Sequence, residues 1–155
     1  MATSSPREHI CRALERNGLL SFFDKIYTTS EIGESKHSPR VYLTAAEALG
    51  TKPSRTLVVE DSLYALQTAG NAGFLTAGIY DALGEPDQEQ LKKDAYIYCR
   101  DLTELQNYIF TENGGNHSDL YCIRKDIRKN TVQLLTQELC GCILDGCDTG
   151  GVLGS

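Results

Sequence analysis

Apolar positions in the first 110 residues switch repeatedly between helical spacing and short continuous runs. Within Arg7 to Asn17, Ile10, Ala13 and Leu14 recur at helical spacing, and Gly18 supplies a stop signal. Phe22-Phe23-Asp24-Lys25-Ile26-Tyr27-Thr28 then leads into a short strand. Ser38-Pro39 opens a second helix, with serine at the cap and proline in the first turn. Along it Val41, Ala45 and Leu49 share a face, and Gly50 ends it. Thr56-Leu57-Val58-Val59 is a continuous apolar run, as expected of a parallel strand covered on both faces. Ser62 to Ala72 predicts a helix closed by Gly73, and Phe74 to Tyr80 a strand ending at Asp81. Gly84 to Lys93 reads as a polar loop with a short helix, Ala95 to Tyr98 as a strand, and Leu102 to Phe110 as a last helix.

Strands alternating with helices at this spacing imply right-handed crossovers and a parallel sheet, an α/β fold of Rossmann-like type. Such sheets bind ligands at the carboxyl ends of their strands. The loops near Thr3, Lys36, Glu60 and Asp81 are therefore the candidate site. After Thr111 the pattern changes. Residues 112–118 are linker-like and polar, and Asp119 to Leu139 predicts a helix with Ile123, Ile127 and Val132 loosely periodic. The chain thus divides into a regular part, 1–110, and an extension, 111–155, of unassigned role.

Composition narrows the function classes. At 155 residues, 41% hydrophobic and 23% charged, the chain suits one globular domain. A net charge of -6 argues against electrostatic capture of nucleic acid or an anionic membrane, so an anionic substrate needs a local positive site. No stretch approaches the roughly 18 apolar residues of a membrane span, and the first residues carry no apolar signal segment. A cytoplasmic location is the expectation. Of six cysteines, Cys11 and Cys99 lie in the regular part and Cys122, Cys140, Cys142 and Cys147 near the end. The last three, with Cys122 or His117, form a conceivable zinc set. The Cys-Gly-Cys spacing falls outside the usual Cys-x₂₋₄-Cys pair, which favours free thiols.

Three places can carry chemistry. Glu60-Asp61 follows a buried strand, where two carboxylates can hold Mg²⁺ through oxygen or simply complement the next helix. Lys36 precedes a helix and can neutralise a phosphate or hold a carboxylate ionised, although a lone surface lysine is usually only solvated. Thr3-Ser4-Ser5-Pro6-Arg7 offers hydroxyls, N–H groups and a cation at a helix start, a phosphate cradle or a frayed terminus.

Order and spacing change their weight. Thr3 before a helix, Gly33-Glu34-Ser35-Lys36-His37-Ser38-Pro39 before the next, and Val58-Val59-Glu60-Asp61-Ser62 after a strand resemble motifs two, three and four of the haloacid dehalogenase superfamily. The resemblance points to its beta-phosphoglucomutase-like and sugar-phosphatase branch. Ala72-Gly73-Phe74 and Phe22-Phe23-Asp24 fit that branch as well, so the resemblance spans residues 1 to 110. It implies a partial core of that family and a Mg²⁺-dependent phosphatase or phosphosugar mutase acting on a small phosphorylated metabolite. By position, Thr3 matches the hydroxyl that bonds the transferring phosphoryl group, assisted by the Ser4 N–H. Ser5 and Arg7 match a loop that contacts the distal part of the substrate. Lys36 matches the cation balancing charge on nucleophile and phosphoryl group, Asp61 the direct Mg²⁺ ligand, and Glu60 its water-mediated companion. His37 and Arg40 stand where many relatives have proline and aspartate, and Ala65 replaces a common glycine.

The resemblance also implies an upstream strand ending in Asp-x-Asp, whose first aspartate attacks phosphorus, and a mobile cap that selects substrate. The 155 residues contain no Asp-x-Asp. The expectation is that nucleophile, one metal ligand and two central strands, including the one leading into Thr3, are missing. Sheet edges are then left unpaired and turnover is low. Asp145 and Asp148 are separated by two residues rather than one and aim differently, so they are a poor replacement. Two alternatives remain: a non-catalytic remnant binding a protein through an exposed sheet edge, and a metal-binding module in the cysteine-rich tail.

Overall fold

The computed structural model describes residues 1–81, 83–110 and 135–136. It contains β1 (Ala2–Thr3), α1 (Arg7–Arg16), β2 (Tyr27–Thr28), α2 (Thr29–Ile32), α3 (Arg40–Ala48) and β3 (Leu57–Glu60). There follow α4 (Leu63–Asn71), β4 (Leu75–Ile79), α5 (Gln88–Asp94), β5 (Ile97–Cys99), α6 (Leu102–Phe110) and β6 (Leu135–Thr136). Among the described residues no helix is long and apolar enough to cross a membrane.

All recorded strand pairs are parallel. One sheet has the order β5-β4-β3-β6, and β1 pairs with β2 in a second. β6 also lies beside β1, so it stands where the two sheets meet. The architecture is α/β with helices on the sheet faces, as the alternating pattern predicts.

The continuous apolar run of β3 is explained by burial on both faces, with side chains alternating between them. Leu57 and Val59 join Ala77, Ile79, Ile97 and Cys99 under Leu105 and Ile109 of α6. Val58 faces the other way, into a cluster with Ala2, Phe74 and Val41, Tyr42, Ala45 and Ala46 of α3. Met1, Ile10, Ala13, Leu14 and Ile26 form a third cluster beneath α1.

Several expectations are corrected. α3 starts at Arg40 with Pro39 in the cap position, and Ser38 Oγ accepts from Arg40 N at 3.3 Å, one step later than the serine-cap pattern suggests. Its packed face is Val41, Tyr42, Ala45 and Ala46, whereas Leu49 is only half-buried beyond the helix end. The residues leading into Thr3 do pair, since β1 aligns Ala2 with Tyr27 and Thr3 with Thr28. Leu135–Thr136 is strand rather than part of a helix over Asp119 to Leu139. Because β6 pairs with β3, that edge of the sheet is covered rather than exposed. α2 was not anticipated, although its signal is present: Thr28 and Glu31 form a capping box, with Thr28 Oγ1 accepting from Glu31 N at 3.2 Å. The linker, the tail cysteines with His117, and Asp145 and Asp148 lie outside the described residues.

Candidate functional site

The site grows from the carboxyl end of β3. The strand buries Glu60 at its last position, and α4 does not begin until Leu63, so Asp61 and Ser62 occupy the turn between them. The first amide of α4, Leu63 N, donates to Glu85 Oε2 at 2.7 Å from across the β4–α5 loop. A distant glutamate thus supplies that helix-start contact.

Lys36 arrives from the segment between α2 and α3. Gly33, at φ 80°, takes the left-handed conformation that lets the chain leave α2. Lys36 then turns inward and is 1% exposed, with its ammonium donating to Glu60 Oε1. The Tyr42 hydroxyl donates to the same oxygen at 2.8 Å from the first turn of α3. Lys36 Nζ lies 5.6 Å from the centre of the Tyr42 ring, within range of a cation–π contact. A buried carboxylate is costly unless paired and hydrogen-bonded. Glu60 has both kinds of partner, all on one oxygen.

The other oxygens of the turn differ. Glu60 Oε2, Asp61 Oδ1 and Ser62 Oγ are buried and have no hydrogen-bond partner. Each such group costs about 1–3 kcal/mol when left unsatisfied. Three of them on consecutive residues, two being carboxylates, are a donor set suited to a hard divalent cation. Mg²⁺ keeps several of its waters and needs only one or two protein carboxylates. Among the described residues no group of three or more His, Cys, Asp or Glu side chains forms a denser metal cluster. Burial pushes the Glu60 carboxyl upward against the pull of Lys36 and Tyr42. Burial, reinforced by the charge of Asp81, also raises Asp61. The Tyr42 hydroxyl is driven far above its ordinary range by burial and the Glu60 charge, so it serves as a donor.

The other sequence-derived residues lie around the first strand and helix. Thr3 closes β1, is fully buried, and its hydroxyl accepts from Ser5 N at 3.1 Å. Ser4 is exposed and Ser5 half-buried. Arg7 is engaged by α2: its guanidinium donates to both Glu31 oxygens, one at 2.8 Å, and to Ile26 O at 2.6 Å. Lys36, Glu60 and Asp61 are thus brought together. Among the described residues no hydrogen bond joins Thr3, Ser4 or Arg7 to that group. His37 stacks on Tyr64 at 4.5 Å, tying the loop after α2 to the first turn of α4. A cavity of about 420 Å³ lies elsewhere, between α1 and the segment entering β2, lined by Arg7, Cys11, Leu20 and Phe23 among others.

Sequence reasoning missed Tyr42 and Glu85. Tyr42 is adjacent to Val41 on the apolar stripe of α3, where a tyrosine reads as packing. Nothing local connects Glu85 to a helix 22 residues earlier.

A family model for haloacid dehalogenase-like hydrolases matches residues 1–79, just over half of the chain. The chain belongs to the haloacid dehalogenase-like hydrolase family. Its curated relatives include a haloacid dehalogenase-like hydrolase domain-containing protein of Arabidopsis thaliana, 49% identical over 76 residues, covering 49% of this chain and 23% of that protein. A phosphorylated carbohydrates phosphatase of Thermotoga maritima is 32% identical over 73 residues, covering 47% of this chain and 34% of that one. Among solved structures, a candidate beta-phosphoglucomutase from Thermotoga maritima superimposes with a TM-score of 0.55 at 27% identity, covering 63% of this chain and 45% of that one. These likenesses are to phosphatase and beta-phosphoglucomutase members of that family. The chain spans about a third of the length of the first curated relatives it matches.

Proposed function

We propose that residues 1–110 form the cation- and phosphoryl-handling part of a Mg²⁺-dependent phosphatase or phosphosugar mutase for a small phosphorylated metabolite in the cytoplasm, with residues 111–155 as an extension. The observation that carries this reading is the β3 terminus. Glu60 is locked to Lys36 through one oxygen, while its other oxygen and Asp61 Oδ1 stay buried without partners. Asp61 is the direct ligand of the cation and Glu60 its water-mediated companion. The bound ion would neutralise charge on the phosphoryl oxygens. Lys36 balances the carboxylates and the incoming anion. The Thr3 hydroxyl and Ser4 N–H bind the phosphoryl group, and Ser5 and Arg7 lie toward the rest of the substrate. In this arrangement Arg7 must exchange Glu31 for that ligand.

These 155 residues supply no Asp-x-Asp nucleophile, so the chain binds its ligands with little or no turnover. Titration of the purified chain with Mn²⁺, followed by paramagnetic resonance of the free ion, tests the reading. Saturable binding should weaken about tenfold or more in Asp61→Asn, and release of phosphate from an aryl phosphate should stay at background. Absence of binding in the wild type sinks the metal assignment. Robust turnover abolished by Asp61→Asn sinks the expectation of inactivity.

A further inference from the structure

We propose that Tyr42 is a positioning residue for the cation site: its hydroxyl holds Glu60 Oε1 so that Oε2 alone is presented to the water through which Glu60 reaches the metal. The inference rests on the reading that Glu60 and Asp61 face a divalent cation.

A carboxylate oxygen has two lone-pair directions. On Glu60 Oε1 both are taken, one by the Lys36 ammonium and one by the Tyr42 hydroxyl at 2.8 Å. The two donors come from different elements, Lys36 from the turn before α3 and Tyr42 from α3 itself. Together they fix the rotation of the carboxylate plane. Lysine alone does not. Its ammonium is a compact charge on a flexible stem, able to sit against either oxygen or between both. In that position it would neutralise the oxygen that the cation needs.

Tyr42 is suited to the task because it is packed into the core. It is fully buried, meets Phe74 edge-on at 6.2 Å, and sits in the same apolar cluster as Val58, two residues before Glu60. Its hydroxyl thus aims from the packed core at the end of the strand that carries Glu60. Partners that orient metal ligands typically contribute about 10–100-fold to affinity.

The test uses the full chain and Mn²⁺ alone, comparing wild type, Tyr42→Phe, Glu60→Gln and the double variant. Tyr42→Phe removes one oxygen from a packed ring, so far-ultraviolet circular dichroism should keep its wild-type shape. Mn²⁺ affinity is expected to fall about tenfold. In the Glu60→Gln background the same substitution should change nothing further, which a general packing role would not produce. Equal affinity in wild type and Tyr42→Phe, or the same loss in both backgrounds, overturns the proposal. A second measurement needs no Tyr42 variant. With ¹³C-labelled tyrosine, the Tyr42 ring signal should shift on addition of Mg²⁺ in wild type and stay put in Glu60→Gln; a signal unmoved in wild type also overturns it. If wild type binds no Mn²⁺, the cation reading itself fails, and that result is distinct from a wild type that binds equally well without the hydroxyl.

Discussion

Glu31 shows how a single side chain can tie several elements and set a pH response. It accepts from Arg7 of α1, completes the capping box of α2, and its carboxyl is held down at about 2 from 4.5, first by the Arg7 hydrogen bond and then by Thr28. A depressed acid contributes stability that is complete above its unfolded value and disappears as pH falls through its folded one. Glu31→Gln should therefore lower the urea midpoint at neutral pH. The gap from wild type should narrow below about pH 4.5 and close near pH 2. A gap that persists at the acid end would rule out ionisation as the cause. The pair is surface-exposed, so added salt should shrink the effect as well. At this scale the site was partly legible. Lys36, Glu60 and Asp61 could be named only from the order and spacing of the motifs, because each alone is ordinary at a helix start. Tyr42 could not, since one hydroxyl on an apolar stripe gives no signal until a carboxylate is seen beneath it.

Elements were easier to read than their exact ends. Gly18, Gly50 and Gly73 were readable as stop signals, and all three take left-handed φ values where helices finish. β3 ends one residue later than its apolar run, because Glu60 is buried by partners that hydropathy does not reveal. A glycine inside β4 has a different meaning. A Cβ on Gly78 would lie 3.2 Å from Ala95 Cβ and from Leu66 Cδ1, and 3.3 Å from Leu91 Cγ. It marks the place where α4 and α5 press on the strand. Gly78→Ala should cost about 1–3 kcal/mol by overpacking, measured as a lower denaturant midpoint with an unchanged slope. No loss would mean that the helices can withdraw without penalty. β6 was not legible, because two strand residues in a segment with loose helical spacing leave no periodic trace.

On the scale of the molecule, the fold class followed from the alternation of strands and helices, whereas the closure of the sheet did not. Val58 and Val59 find their outer partners in Leu135 and Thr136, far along the chain. A protein ending at Phe110 should therefore expose a buried-type strand edge and self-associate, visible as earlier elution in size-exclusion chromatography. A monomer with wild-type thermal stability would show that β6 is dispensable. The same pairing bears on how the chain folds as it leaves the ribosome. Helices and strands up to α6 can form while synthesis continues, but the ladder on the outer side of β3 must wait for residues 135 and 136. Such long-separation contacts are the slow ones, so completion of the sheet is a late event, and a nascent chain stalled before that point would be a natural substrate for a chaperone.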